Sequence, residues 1–344
     1  GQLETAGAVL LAALRTALSQ PRRARSYVPS AALIGGARAK IGLLAQRGRG
    51  WPNASAYLRS ICPLTTPQAA QRFDLIELAS TDDPRRSDCK AVIVQRFALP
   101  SAQHAEDFAT DLAGFGCKLV VESDDHAGAI GPDDLRTDAL LRAMALADRV
   151  FVASPVLQSL HANCGAIALP SGLDPRIWQG GLAPPALPTR GAPLRMVYIG
   201  TPTHDADFAP VQAALNRLWL RYPNRFCLTI IGALRAVPST PWITPAPALS
   251  RQTAYPDFCQ RALGAGPFHL GIAPLQRSPL NDAKSDIKCL DTAALGAVTL
   301  ASDAPPYKDV IADGIALNAG QTANDWYHAF CTILEDLPAL NARA

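Results

Sequence analysis

Short apolar runs recur along the chain, separated by stretches in which apolar residues return with helical spacing. The runs predict strands at 41–45, 74–79, 91–95, 118–122, 149–153 and 166–169. Between them the helical period predicts helices at 55–61, 102–115, 134–146 and 155–162. The run from Ala91 to Val94 is apolar at every position, without alternation. Strands of that kind are covered on both faces, as in a parallel sheet flanked by helices. A second series then repeats the pattern, with strands at 195–199, 226–231, 242–245, 268–274 and 298–301. Its helices are expected at 208–221, 255–263 and 286–295. Pro184, Pro185, Pro188, Gly191 and Pro193 separate the two series and read as a linker. The expected class is therefore α/β, with two Rossmann-like domains.

A chain of 344 residues exceeds one ordinary core, which agrees with two domains. With 49% hydrophobic and 18% charged residues it is globular in composition. The eight cysteines show neither CxxC nor Cys/His ligand spacing, so buried free thiols are expected rather than zinc or disulfides. No apolar run reaches the roughly 18 residues of a membrane span, and the start lacks the basic region of a secretion signal. A cytoplasmic location is the expectation. The net charge of +3 is too small to imply nucleic acid. Its distribution is uneven: Arg15, Arg22, Arg23, Arg25, Arg38, Lys40, Arg47 and Arg49 face a single acid, Glu4, in the first fifty residues. This basic stretch reads either as a solvated linker or as attraction to anionic lipid headgroups or a phosphate-bearing acceptor, hence peripheral contact with the inner membrane face. A helix with Leu3, Leu10, Leu11, Leu14 and Leu18 on one side opens it, and Pro21 ends that helix.

The chemistry concentrates after the strand that ends near Leu275. A polar loop there holds Lys284 and Ser285, and a helix begins near Asp286 and closes at Gly296. A helix start offers unpaired amides and the positive end of a dipole, so it favours a phosphate. Lys284 and Lys288 add charge on the same side, and Asp291 is placed to accept hydrogen bonds from a ribose. The arrangement suits a nucleoside diphosphate.

The same segment carries a resemblance. Pro279-Leu280, Ala283-Lys284-Ser285, Ile287-Lys288, Leu290-Asp291, Ala293-Ala294-Leu295-Gly296, Ser302-Asp303 and Pro306-Tyr307 resemble the donor-binding run of GT-B glycosyltransferases. The likeness is to the bacterial family 4 and family 1 type enzymes of surface-polysaccharide assembly, and it extends more weakly over 39–340. It implies a first, acceptor-side domain at 39–188 and a nucleotide-sugar domain at 189–322, facing across a cleft. It also implies a C-terminal helix within 323–344 that crosses back to the first domain; residues 1–38 form a helical basic extension. The implied activity is transfer of a sugar, with retention, from a nucleotide sugar to an oligosaccharide or lipid-linked glycan, in capsule or O-antigen synthesis. Two features depart from the family pattern. Ala283 stands where the family has an acid that meets the donor sugar, and the loop at Thr203 lacks the family's basic residues.

Further candidates lie at strand ends. Gly200, Thr201, Thr203 and His204 follow the first strand of the second domain and join Lys284, Ser285, Asp286, Lys288 and Asp291 as donor-binding candidates; an ordinary strand-to-helix turn is the plainer alternative. Asp124, Asp125 and His126 end the fourth strand of the first domain, where an acid or imidazole can orient or deprotonate an acceptor hydroxyl. An acid-rich loop capping the next helix is the alternative. Asn53, Ser55, Arg59 and Arg96 are acceptor-side candidates, Asn53 and Ser55 reading equally well as helix caps. No metal and no other cofactor is expected, because lysine and a helix dipole do the work of Mg²⁺. Two rivals stay open: a nucleotide-sugar epimerase of the same fold, and a glycan-binding scaffold without turnover.

Overall fold

A computed structural model describes residues 38–47, 51–131, 133–179, 185–186, 188, 192–246 and 253–338. The predicted N-terminal helix and the basic extension as far as residue 37 lie outside the described residues, as does most of the proline-rich linker. The chain divides into two compact units between Asp174 and Pro175.

In the first unit, β1 (Ala39–Leu44), β2 (Phe73–Glu77), β3 (Ala91–Gln95), β4 (Lys118–Ser123), β5 (Arg149–Val152) and β6 (Ile167–Ala168) form one sheet. Every pairing is parallel, in the order β2-β1-β3-β4-β5-β6. The continuous apolar runs explain this: Ile41, Leu43, Ile93, Val120 and Phe151 are buried in one cluster beneath the covering helices. The connections carry α1 (54–64), α2 (Ala102–Gly114), α3 (Leu135–Leu146) and α4 (Pro155–Leu160). Ser101 and Ser154 cap α2 and α4 by accepting from backbone amides three residues on.

In the second unit, β7 (Leu194–Ile199), β8 (Phe226–Ile231), β9 (Ile243–Thr244), β10 (Leu270–Ala273), β11 (Val298–Ser302) and β12 (Ala316–Gly320) pair in parallel in the order β12-β11-β10-β7-β8-β9. Its helices are α5 (Asp205–Arg221), α6 (Tyr255–Ala265), α7 (Ile287–Ala294) and α8 (Ala323–Glu335). The edge strand β12 was not predicted, since Asn318 and two small residues break its apolar run. The last helix, α8, buries Trp326, Phe330, Ile333 and Leu334 in the second unit's core, where it packs on α5 and β12. A capping box between Thr322 and Asp325 starts it there.

Strand order reverses between β1 and β3 in the first sheet and between β7 and β10 in the second. Ligands in open α/β sheets bind outside the carboxyl ends of strands at such reversal points. Close approach of helix to sheet sets the second of these places. A Cβ at Gly271 would lie 2.1 Å from Thr292 Cγ2, so only glycine on β10 lets α7 seat where it does. All eight cysteines are free, and six of them are buried. Among the described residues no helix is long and apolar enough to cross a membrane.

Candidate functional site

At the reversal point of the second sheet, β7 runs out into Gly200, and β10 into a loop that leads through the turn Pro279–Asp282 to α7. No side chain caps α7, whose N-terminal flank is Asp286. Lys284 and Ser285 are half-buried just before it, and Lys288 reaches inward from its first turn, 8% exposed. Opposite stands the start of α5. His204 flanks that helix, its Nδ1 2.7 Å from Asp207 Oδ2 and its Nε2 3.1 Å from Lys288 Nζ. With Asp207 ionised, Nδ1 donates to the carboxylate, and the free lone pair of Nε2 accepts from the ammonium. Asp207 Oδ1 also accepts from the Gln276 amide at 2.8 Å and from Asn281 Nδ2 at 3.0 Å, tying α5 to the loop that leads to α7.

The electrostatics follow from burial. Lys288 is lowered to about 8, first by desolvation and then by the charge of Lys284, against the pull of Asp207 and Asp291. Among the described residues no carboxylate comes within ion-pair distance of its ammonium. Burial also lowers His204 and outweighs the hydrogen bond to Asp207, so the imidazole is neutral near pH 7. Asp291 is raised to about 7 by desolvation, with Lys288 opposing, and its Oδ1 has no hydrogen-bond partner among the described residues. Burial raises Asp286 as well. A Cβ on Gly200 would sit 3.7 Å from Lys288 Cε and from His204 Cδ2, an ordinary contact. The fold of the turn thus does not demand glycine.

Thr201 and Thr203 are exposed on the same turn, their hydroxyls 3.2 Å apart. Arg235, from the loop after β8, donates through Nε to the Pro202 carbonyl at 3.2 Å and lies 3.7 Å from Asp205. It brings a cation to the Gly200–Thr203 turn that the local sequence lacks. Ala283 is completely buried, and the neighbouring acid Asp282 is held by Arg277 in two hydrogen bonds of 2.9 and 3.0 Å.

The other constellation lies at the reversal point of the first sheet. Here α1 is helical in three pieces, Ala54–Ala56, a π-helical Tyr57–Ile61 and Cys62–Leu64. Pro63 has no amide to give the Arg59 carbonyl, and the Cys62 amide bonds back to Tyr57 instead, which widens the turn. That turn sends Arg59 inward, where Nε meets Glu122 Oε1 at 2.5 Å and Nη1 meets the Leu169 carbonyl at 3.0 Å. Arg96, at the end of β3, has φ +50°, a left-handed conformation unusual outside glycine. It pairs with Asp125 through Nη2, lies 3.2 Å from Asp124 Oδ1 through Nε, and donates to Ser55 Oγ at 2.9 Å. Ser55 in turn donates to Asp124. Asn53 caps α1 by accepting from Ala56 N at 2.8 Å and donates to Gln46 at 3.1 Å. His126 accepts from Gly128 N at 3.0 Å and caps the turn Ala127–Ile130.

Two groups thus gather the predicted residues. Ser55, Arg96, Asp124 and Asp125 form one network, with Arg59 beside it on Glu122. His204 and Lys288 form the other, with Gly200 against them. Sequence reasoning passed over Asp207 and Arg235, and placed Glu122 only as the start of the acidic run that ends β4. Asp207 was detectable, because a His and an Asp three apart at a helix start share a face. Arg235 was not, because only the pairing of β7 with β8 brings it to the turn. Glu122 is 2% exposed and raised to about 7, by burial first, with Arg59 opposing and Asp124 adding.

No protein-family model matches the chain, and no curated protein does either. Solved structures do resemble it. Anabaena Alr3699/HepE, in complex with UDP and glucose, aligns with a TM-score of 0.54 over 89% of this chain and 94% of its own, at 10% identity. The fold is of the GT-B kind. A Listeria monocytogenes protein assigned as a UDP-N-acetylglucosamine 2-epimerase aligns at 0.50 over 89% of this chain and 91% of its own, with 9% identity. A Burkholderia xenovorans trehalose-phosphate synthase, in complex with glucose-6-phosphate, aligns at 0.50 over 74% and 68%, with 14% identity. At these identities the GT-B likeness speaks for the fold: two Rossmann-like domains, each with a six-stranded parallel sheet.

Proposed function

We propose that the protein is a glycosyltransferase that moves a sugar from a nucleoside diphosphate to a glycan or lipid-linked acceptor. The observation that carries this reading is Lys288. It is a buried ammonium whose hydrogen-bond partner is a neutral imidazole, set at the uncapped start of α7 beside Lys284. A buried cation without a counter-charge costs several kcal/mol, and an anion on the helix amides offsets that cost. A diphosphate spans the reach from Lys284 and Lys288 to the Gly200–Thr203 turn and Arg235, and Asp291 supplies an acceptor for ribose hydroxyls. As the sugar departs, the same donors stabilise the charge growing on the diphosphate. In this reading the two lysines and the helix start replace a divalent metal, so EDTA leaves turnover unchanged. Loss of activity restored by Mg²⁺ would count against it.

On the acceptor side, the reading gives Arg96, Asp124, Asp125 and Ser55 the task of orienting a hydroxyl. Retention of configuration and a place in capsule or O-antigen synthesis belong to the same proposal and rest on the sequence resemblance. Thermal stabilisation by UDP, GDP, dTDP or CMP is the direct test. Lys284→Ala should remove the response, and an unchanged nucleotide affinity in that variant would refute the phosphate assignment. A second reading, epimerisation of a nucleotide sugar, draws on Glu122, a carboxyl poised near 7 where proton transfer in both directions is easy. Isomerised sugar formed without any acceptor would favour it over transfer.

A further inference from the structure

We infer that Asp207, His204 and Lys288 work as one proton-holding array that makes diphosphate binding depend on a proton at Lys288, with His204 and Asp207 as its positioning residues. The inference rests on the donor-site reading above and concerns how that site is regulated. The three side chains are 6–8% exposed and hydrogen-bonded in line, 2.7 Å from carboxylate to imidazole and 3.1 Å from imidazole to ammonium. Each link has one direction. Asp207, fixed by the Gln276 amide and Asn281, accepts a hydrogen bond from Nδ1–H and leaves Nε2 as an acceptor aimed at Lys288.

The charged and titratable groups acting on Lys288 are Lys284, Asp207, Asp291, Cys289 and His204. Lys284 pushes the proton off; Asp207 and Asp291 retain it. The balance leaves Lys288 close to half-protonated near pH 8 in the free protein. A diphosphate placed against Lys288 adds negative charge at contact range and favours the ammonium strongly. Binding therefore takes up a proton, and affinity is lost as the pH rises through the free lysine's titration. His204 keeps the ammonium pointed and hydrogen-bonded without cancelling its charge, which a carboxylate in the same place would do.

Titration calorimetry with UDP and with GDP, between pH 7 and pH 9, tests this. If only the charged lysine binds, a lysine titrating near 8 implies that Kd rises about tenfold over that range. Repeating the pH 8 titration in buffers of different ionisation enthalpy should show uptake of about half a proton per ligand. Lys288→Arg, whose charge does not titrate here, should flatten the pH profile. His204→Phe should move its midpoint to lower pH, because the ammonium loses its acceptor. A purely structural His204 would weaken binding equally at every pH. Side-chain NMR of Lys288 in the ligand-free protein gives a readout that needs no ligand, with the Arg variant supplying the assignment. Tight binding with a flat wild-type profile, or a Lys288 that titrates near 10.5, would overturn the array and leave the donor site standing. Failure of every nucleoside diphosphate to bind at any pH would instead remove the donor site itself.

Discussion

Replacing Asp291 by Asn should stabilise the protein at pH 8 while weakening its grip on nucleotide. Asp291 is 9% exposed, and its Oδ1 lacks a hydrogen-bond partner among the described residues. Its carboxyl is raised from 3.8 to about 7 by burial, with Lys288 opposing. A displacement of that size makes the carboxylate cost roughly 4 kcal/mol of folding free energy once the pH is well above both values. Asparagine keeps the shape and removes the charge, but introduces an amide that lacks a full set of partners, which takes back about 2 kcal/mol. The net gain at pH 8 is about 2 kcal/mol, or close to 1 M in urea midpoint for a unit of this size. The sign follows from the direction of the shift. The penalty is complete above the folded value near 7, shrinks as pH falls through it, and is gone below the unfolded value of 3.8. By pH 5 the wild type has recovered enough for the two proteins to match. Tryptophan fluorescence suits the assay: Trp178, Trp219, Trp242 and Trp326 lie in the second unit, so the signal follows the unit that holds Asp291. A lower midpoint for Asp291→Asn at pH 8, or the same gain at pH 5 and pH 8, would refute the reasoning. A gain in stability coupled to a loss of nucleotide affinity is what a carboxylate kept for a ligand predicts.

Gly200→Ala should fold normally, since its Cβ meets neighbours at 3.7 Å, yet raise the Kd for nucleotide by placing a methyl over Lys288; unchanged affinity in a titration would remove the turn from the site. Arg59→Leu should cost about 3–5 kcal/mol at high pH, because it strands Glu122 as a buried carboxylate, and the loss should be smaller at pH 5, where that carboxyl is protonated with or without Arg59; chemical denaturation at pH 5 and pH 8 checks both. Asp125→Asn should depress sugar transfer more than donor affinity by loosening Arg96, and wild-type rates would take the network off the acceptor side.

Much of the fold was legible because it is written locally. Apolar runs marked eleven strands without reference to anything distant, and all eleven are present. The strand that escaped, β12, is an edge whose Ala316–Gly320 run is interrupted by Asn318 and ends in small residues, so it offers no period to read. The C-terminal helix was located correctly, but its packing on α5 and β12 was not legible: an amphipathic face announces that it will be buried and says nothing about against what. The donor side was partly legible, since Lys284, Lys288 and Asp291 share one short segment with a helix start. Its decisive feature was not. That Lys288 is buried, and that its partner is an imidazole rather than an acid, depends on α5 lying across from α7, which in turn depends on β7 and β10 being neighbours in the sheet. The same holds on the other side, where Arg96 must adopt a left-handed backbone before Ser55, Asp124 and Asp125 can converge on it. Strain of that kind, about 1–3 kcal/mol, persists only where surrounding contacts over-determine it. Here those contacts are the ion pairs themselves, so loosening Asp125 tests the acceptor network and the strained residue together.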